Sequence, residues 1–157
     1  MTTARWPALP PPQDELGVVV HGPVLLARSP GIVAGLRCVF AHPTGLHLLL
    51  VLHAEGVQAE AASRRTFEDR PGQQPWSGVR LRAAVDGDER TVDQAGGSSS
   101  GSDDDFHLRA DFWIGALPGD GRLGLTVGWL GAGLAEAGSV LELAGLDDLA
   151  SRVVRLR

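Results

Sequence analysis

Residues 32–53 limit the possible folds more than any other part of the chain. Leu36, Cys38 and Phe40 share one parity, Leu48, Leu50 and Leu52 share one parity of the next run, and Pro43-Thr44-Gly45 separates the two. A period of two residues marks a strand with one face buried. Proline suits the first corner of a type I turn, and glycine suits the left-handed residue that closes a three-residue hairpin. That loop sets His42 against Leu46, Phe40 against Leu48, Cys38 against Leu50 and Leu36 against Leu52. Turn chemistry and face pattern therefore select one register.

The same grammar recurs along the chain. Val79, Leu81, Ala83 and Val85 alternate with Arg80, Arg82 and Ala84, and Asp86-Gly87 is a two-residue hairpin signal that places Leu81 opposite Val92. Phe106, Leu108, Ala110, Phe112 and Ile114 line one face of a further strand, with His107, Arg109, Asp111 and Trp113 on the other. Leu123, Leu125, Val127 and Trp129 alternate with small residues; residues 140–143 and 153–156 add two short strands, and residues 146–150 suit one helical turn. Residues 18–27 read as an entry strand bent at Gly22-Pro23. Eight or nine short strands with turn signals between them predict an all-β fold, an antiparallel β-sandwich of the immunoglobulin-like kind, with a barrel as runner-up.

Within that fold, residues 1–15 carry Pro7, Pro10, Pro11 and Pro12 and read as a flexible arm, leaving residues 16–157 as a single domain. Residues 54–78 and 94–105 read as flexible loops, with a short helix permitted near 58–67. The second loop, QAGGSSSGSDDD, has no core-forming side chain and ends in a run of like charge. Residues 131–138 read as a third loop. If successive strands alternate in direction, the turns at 43–45, 86–87 and 115–122 gather at one end and the three long loops at the other.

Composition removes several function classes. A net charge of −5 argues against nucleic acid as partner. All 14 basic residues are arginine, and lysine, asparagine and tyrosine are absent, which reflects GC-rich coding and not phosphate chemistry. Cys38 is the single cysteine, so neither an internal disulfide nor a cysteine zinc site is expected. No apolar run approaches the roughly 20 residues of a membrane helix, and the start of the chain lacks a signal-peptide pattern; a cytoplasmic protein is expected.

Chemistry-bearing patterns are few. His47 and His53 share a strand face but lie roughly 20 Å apart at ~3.3 Å per residue, too far to share a metal. His42 sits on the opposite parity from His47, and His21 and His107 have no Cys/His partner at ligand spacing, so no metal site is expected. No nucleophile elbow or phosphate-binding glycine loop is present, and no cofactor is expected. Cys38 reads as core packing. Asp103, Asp104 and Asp105 lack the alternating spacing of a calcium loop.

The segment Phe112-Trp113-Ile114 with Leu117-Pro118, then the strand from Leu123 to Trp129, then residues 140–143, resembles a group of uncharacterised actinobacterial proteins in which a W-x-x-P-L-P-P turn precedes an L-x-x-x-x-E-W strand. This chain has Gly128 where that pattern has glutamate, and one proline after Leu117. The resemblance implies a β-sandwich and a GC-rich bacterial source, and it implies no activity.

A non-catalytic module that works by contact with another protein or with itself, through the long-loop end or an edge strand, is the function these features favour. Trp76, Arg64, Arg65, Phe67 and Trp113 are its candidate contact residues. A small-molecule or carbohydrate binding module, with Trp113 or Trp76 as stacking platform, is the first alternative. A carboxylate-dependent enzyme using Asp111 is the second.

Overall fold

Burial alternates residue by residue along the strand Gly45–Glu55 (β5): Leu46, Leu48, Leu50, Leu52 and Ala54 face the core, and His47, Leu49, Val51, His53 and Glu55 face outward. Each buried leucine withdraws its side chain almost completely from water, a gain of about 1.5–3 kcal/mol apiece. The computed structural model, which describes residues 4–67, 78–102 and 104–157, builds two antiparallel sheets around this core. Glu15–Leu16 (β1) and Val18–His21 (β2) lead into Val24–Ser29 (β3), Ile32–His42 (β4) and β5. The helix Gly56–Phe67 (α1) follows, then Arg80–Val85 (β6), Asp88–Val92 (β7), Gln94–Gly101 (β8), Asp105–Ile114 (β9), Arg122–Trp129 (β10) and Leu134–Glu142 (β11). Leu149–Arg152 (α2) and Val154–Arg155 (β12) complete the order.

One sheet runs β2-β4-β5-β9-β8, with β3 continuing the β2 edge along β4; the other runs β11-β10-β6-β7. Their facing sides share one core that includes Phe106, Phe112, Leu81, Leu123, Leu125 and Trp129. The expected antiparallel β-sandwich is the observed fold, and the Asp86-Gly87 hairpin sets Leu81 opposite Val92 as expected. Asp86 and Gly87 both take positive φ, 52° and 81°, the conformation a two-residue turn needs to match strand twist.

Four expectations are corrected. The first hairpin turns on Pro43-Thr44 alone, so His42 faces Gly45, Phe40 faces His47 and Cys38 faces Leu49. A bulge at Arg37 then reverses the parity of β4: Ile32, Ala34 and Leu36 point into the core before it, Val39 and Ala41 after it, and Cys38 and Phe40 point outward. Residues 94–101 form β8, an edge strand on β9, and residues 134–138 belong to β11, which begins after a 3-10 turn at Leu130–Ala132.

The N-terminal residues are also not a free arm. Trp6 is 7% exposed, its indole N–H donates to the Ala83 carbonyl at 3.1 Å, and Arg5 forms a parallel bridge with Thr91 at the β7 edge. Further on, Glu15 accepts from the imidazole of buried His42 at 2.8 Å, and β1 pairs with β12.

The three tight turns gather at one end as expected, whereas residues 94–101, expected among the long loops at the other, run along β9 from Phe112 to Phe106 as β8. The Asp86 carboxylate accepts from the Gly119 N–H at 2.8 Å, joining two of the tight turns, and Gly45 packs on Trp113 and Ile114. At the opposite end α1, the helix permitted by the sequence, buries Ala59 and Ala62 in the core, and Ser63 donates to the Ser102 carbonyl.

Candidate functional site

β5 and β9 pair over ten consecutive residues with no register shift, from Leu46 opposite Ile114 to Glu55 opposite Asp105. Because both strands alternate, every outward residue of β5 has an outward neighbour on β9. His53 stands opposite His107, and Glu55 opposite Asp105, so two imidazoles and two carboxylates share one patch of the outer face. His53 Nε2 lies 2.8 Å from one Asp105 carboxylate oxygen and His107 Nε2 lies 2.9 Å from the other. The two rings stack with centroids 4.5 Å apart and planes 14° from parallel. Glu55 comes within 4.0 Å of His53 Nδ1. His53 also borders a shallow hollow of about 520 Å³ shared with Arg28, Ser29 and Ile32.

Hydrogen bonding from His53 above all, with the nearby His107, holds the Asp105 carboxyl below the usual aspartate range, against the opposing pull of desolvation. The sign follows directly. A depressed folded-state value contributes stability above the ordinary carboxylate range, and that contribution is lost as pH falls through the depressed value. The stability difference between the wild type and Asp105→Asn is expected to shrink as pH falls through the ordinary aspartate range into the depressed one, as urea denaturation at each pH would read. A difference that is constant down to pH 2 would contradict the assigned bonds.

A second pair lies further along the same face, where His47 Nε2 donates to Asp111 at 2.8 Å. Asp111 thus meets His47; His107, four residues away on β9, is about 13 Å distant.

The residues singled out in the sequence do not converge. Trp76 lies outside the described residues. Trp113 is 5% exposed, covered on the outer face by its T-shaped contact with His42 and by Gly45, and it offers no stacking platform. Arg64, Arg65 and Phe67 occupy the last turns of α1 at the other end of the domain. Arg64 pairs with Glu60 at 2.7 Å, Phe67 lies edge-on to Phe106, and Arg65 borders a cleft of about 970 Å³ with Arg80, Arg82 and Trp129. The Cys38 thiol, half-buried on the outer face, is pushed above its ordinary pKa by burial, with Arg37 opposing. The His53–Asp105–His107 group is not legible as a group in the sequence because His53 of β5 meets Asp105 and His107 of β9 only across the strand pairing. The legible signal was that His53 and His107 both sit opposite an apolar face.

No family model matches the chain, and no curated protein matches it. Among solved structures it is similar to a family 9 carbohydrate binding module from Caldicellulosiruptor kristjanssonii in complex with cellotriose, at 10% identity and a TM-score of 0.33. The likeness covers 72% of this chain and 64% of that one, so the chain spans less than two thirds of that module's length. At this distance the likeness carries no argument about the site. No helix of the described residues is long and apolar enough to cross a membrane.

Proposed function

We propose that this β-sandwich is a contact module that takes up an extended segment of another protein along β8. The observation that carries the reading is the character of that edge. Among the described residues β8 pairs only with β9, and its sequence QAGGSSSG holds neither a charged residue nor a proline. Natural sheet edges are normally blunted by charge, by proline, by shortness or by a covering segment, because a bare edge templates another strand. The other edges here are treated in those ways. β7 is bridged by the N-terminal residues, β11 carries Glu136 and Glu142, and the β2–β3 edge is broken at Gly22-Pro23. Seven small residues after Gln94 leave the β8 backbone open to close approach, and strand addition uses backbone bonds for affinity.

The test is a photo-cross-linking residue at Ser98 in the native cell, followed by mass spectrometry of the adduct. The cross-linked partner segment, supplied as a peptide, is expected to slow hydrogen exchange of the amides of residues 96–101 in the purified chain. A cross-link to a second copy of the chain, or a peptide that leaves those amides unprotected, overturns the reading.

A further inference from the structure

We infer that His53, His107 and Asp105 form a binding site for a divalent transition-metal ion of the zinc type, with at least one coordination position open to solvent. The nitrogen and oxygen atoms the three residues offer all lie within 4.8 Å of one another. Zinc takes imidazole nitrogen and carboxylate oxygen at about 2.0–2.2 Å, and tetrahedral angles then set neighbouring ligand atoms about 3.3 Å apart. His53 Nε2 stands 2.8 Å from one Asp105 oxygen and His107 Nε2 2.9 Å from the other, so a small turn of the carboxylate, with these separations opening by a few tenths of an ångström, sets an oxygen between the two rings. The nitrogens must approach one another by up to ~1.5 Å, a swing available to rings that are partly solvent-exposed.

The donor set selects the metal. Two imidazoles and one carboxylate suit zinc, nickel, cobalt or copper, whereas calcium and magnesium require shells of oxygen. The scaffold suits a site as well. All three ligands project from β5 and β9, two adjacent interior strands of the larger sheet, over an uninterrupted register, and strands hold geometry more tightly than loops.

Binding through Nε2 requires each neutral ring to carry its proton on Nδ1. For His53 an acceptor stands ready there, since the Glu55 carboxylate is 4.0 Å from Nδ1 and a small rotation completes the bond. Glu55 is therefore a positioning residue, in the carboxylate–histidine–metal arrangement that fixes a ligand ring and raises its basicity. Where no metal is bound, the same Nε2 atoms donate their protons to Asp105. The metal thus replaces two N–H···O bonds: each ring gives up its Nε2 proton to water and takes one from water at Nδ1, so the exchange releases no net proton from the imidazoles. This site is independent of strand addition at β8, although Ser100 of β8 stands opposite His107.

The full-length chain, stripped with EDTA, is titrated with Zn²⁺ by calorimetry and with Co²⁺ by visible absorption, alongside His107→Ala, Asp105→Asn, Glu55→Gln and a distant control, His21→Ala. One equivalent is expected to bind the wild type and the control. Loss of either ligand should abolish binding, and Glu55→Gln should weaken it about 10- to 100-fold. Imidazole ¹⁵N shifts of His53 and His107 should move together on zinc addition while those of His21 stay fixed. Circular dichroism confirms that each variant is folded. Zinc binding that His107→Ala or Asp105→Asn leaves intact, or no saturable binding by the wild type below millimolar zinc, overturns the assignment.

Discussion

Replacing Trp6 with alanine is expected to destabilise the domain by about 3–5 kcal/mol, the range for a buried aromatic truncated in a packed site. Trp6 is 7% exposed and belongs to the core, and its indole N–H satisfies the Ala83 carbonyl. The Arg90 guanidinium lies 4.9 Å over the ring. Two backbone bonds, 2.9 Å from Trp6 N–H to the Thr91 carbonyl and 3.0 Å from Thr91 N–H to the Ala4 carbonyl, anchor the segment beside β7. Chemical denaturation of the full chain, read by far-ultraviolet circular dichroism, measures the loss. A cost below about 1 kcal/mol would return residues 1–15 to the loose arm that their prolines suggest.

The second large effect is expected from Gly97→Val. Gly97 lies inside β8 at φ 144°, and a β-carbon there would collide with the Arg109 carbonyl oxygen and crowd Ala110 on the neighbouring strand. Only glycine fits both the dihedral and the approach. A branched side chain must therefore push β8 off β9, costing more than the ~1 kcal/mol of a conformationally compatible glycine exchange. Hydrogen exchange should show amides of residues 98–101 and their partners on β9 losing protection while β6 and β10 keep theirs, because local opening is confined to the edge. If Gly97→Val also removes the cross-linked partner at Ser98, β8 pairing and partner uptake share one surface. Unchanged protection throughout would mean that this stretch has the flexible character its composition suggests.

Much of the fold is legible from the residues because burial obeys a local rule. The alternation in β5, β9 and β10 and the Asp86-Gly87 turn follow from parity and turn chemistry within a few residues, whereas the helix Gly56–Phe67 replaces most of an expected loop in which the composition only permitted a short helix. The β4–β5 register is a different case. A two-residue turn and the Arg37 bulge together restore Leu36 to the core, and a bulge leaves no mark in a parity count until the partner strand is known. Composition misled at β8 for a related reason: glycine and serine carry little strand propensity, yet the ladder on β9 supplies the backbone bonds that composition cannot.

The candidate site divides in the same way. Each of His53, Asp105 and His107 was visible as an outward strand residue or a turn residue; Asp105 and His107 lie two residues apart, but His53, 52 residues from Asp105, joins them only through the β5–β9 pairing. Trp113 looked half-exposed by parity, and is buried because His42 and the first hairpin close over it, contacts between residues far apart in the chain.

By itself, then, the sequence determined which residues alternate, where the chain turns, and that two layers of antiparallel strands would share one apolar core; those are consequences of spacing, and spacing is written along the chain. The tertiary structure decided which strands are neighbours, which edge is left bare, and which outward side chains meet. These depend on pairings between segments far apart in the chain, such as His53 with His107, 54 residues on, and they are settled by the fit of whole faces.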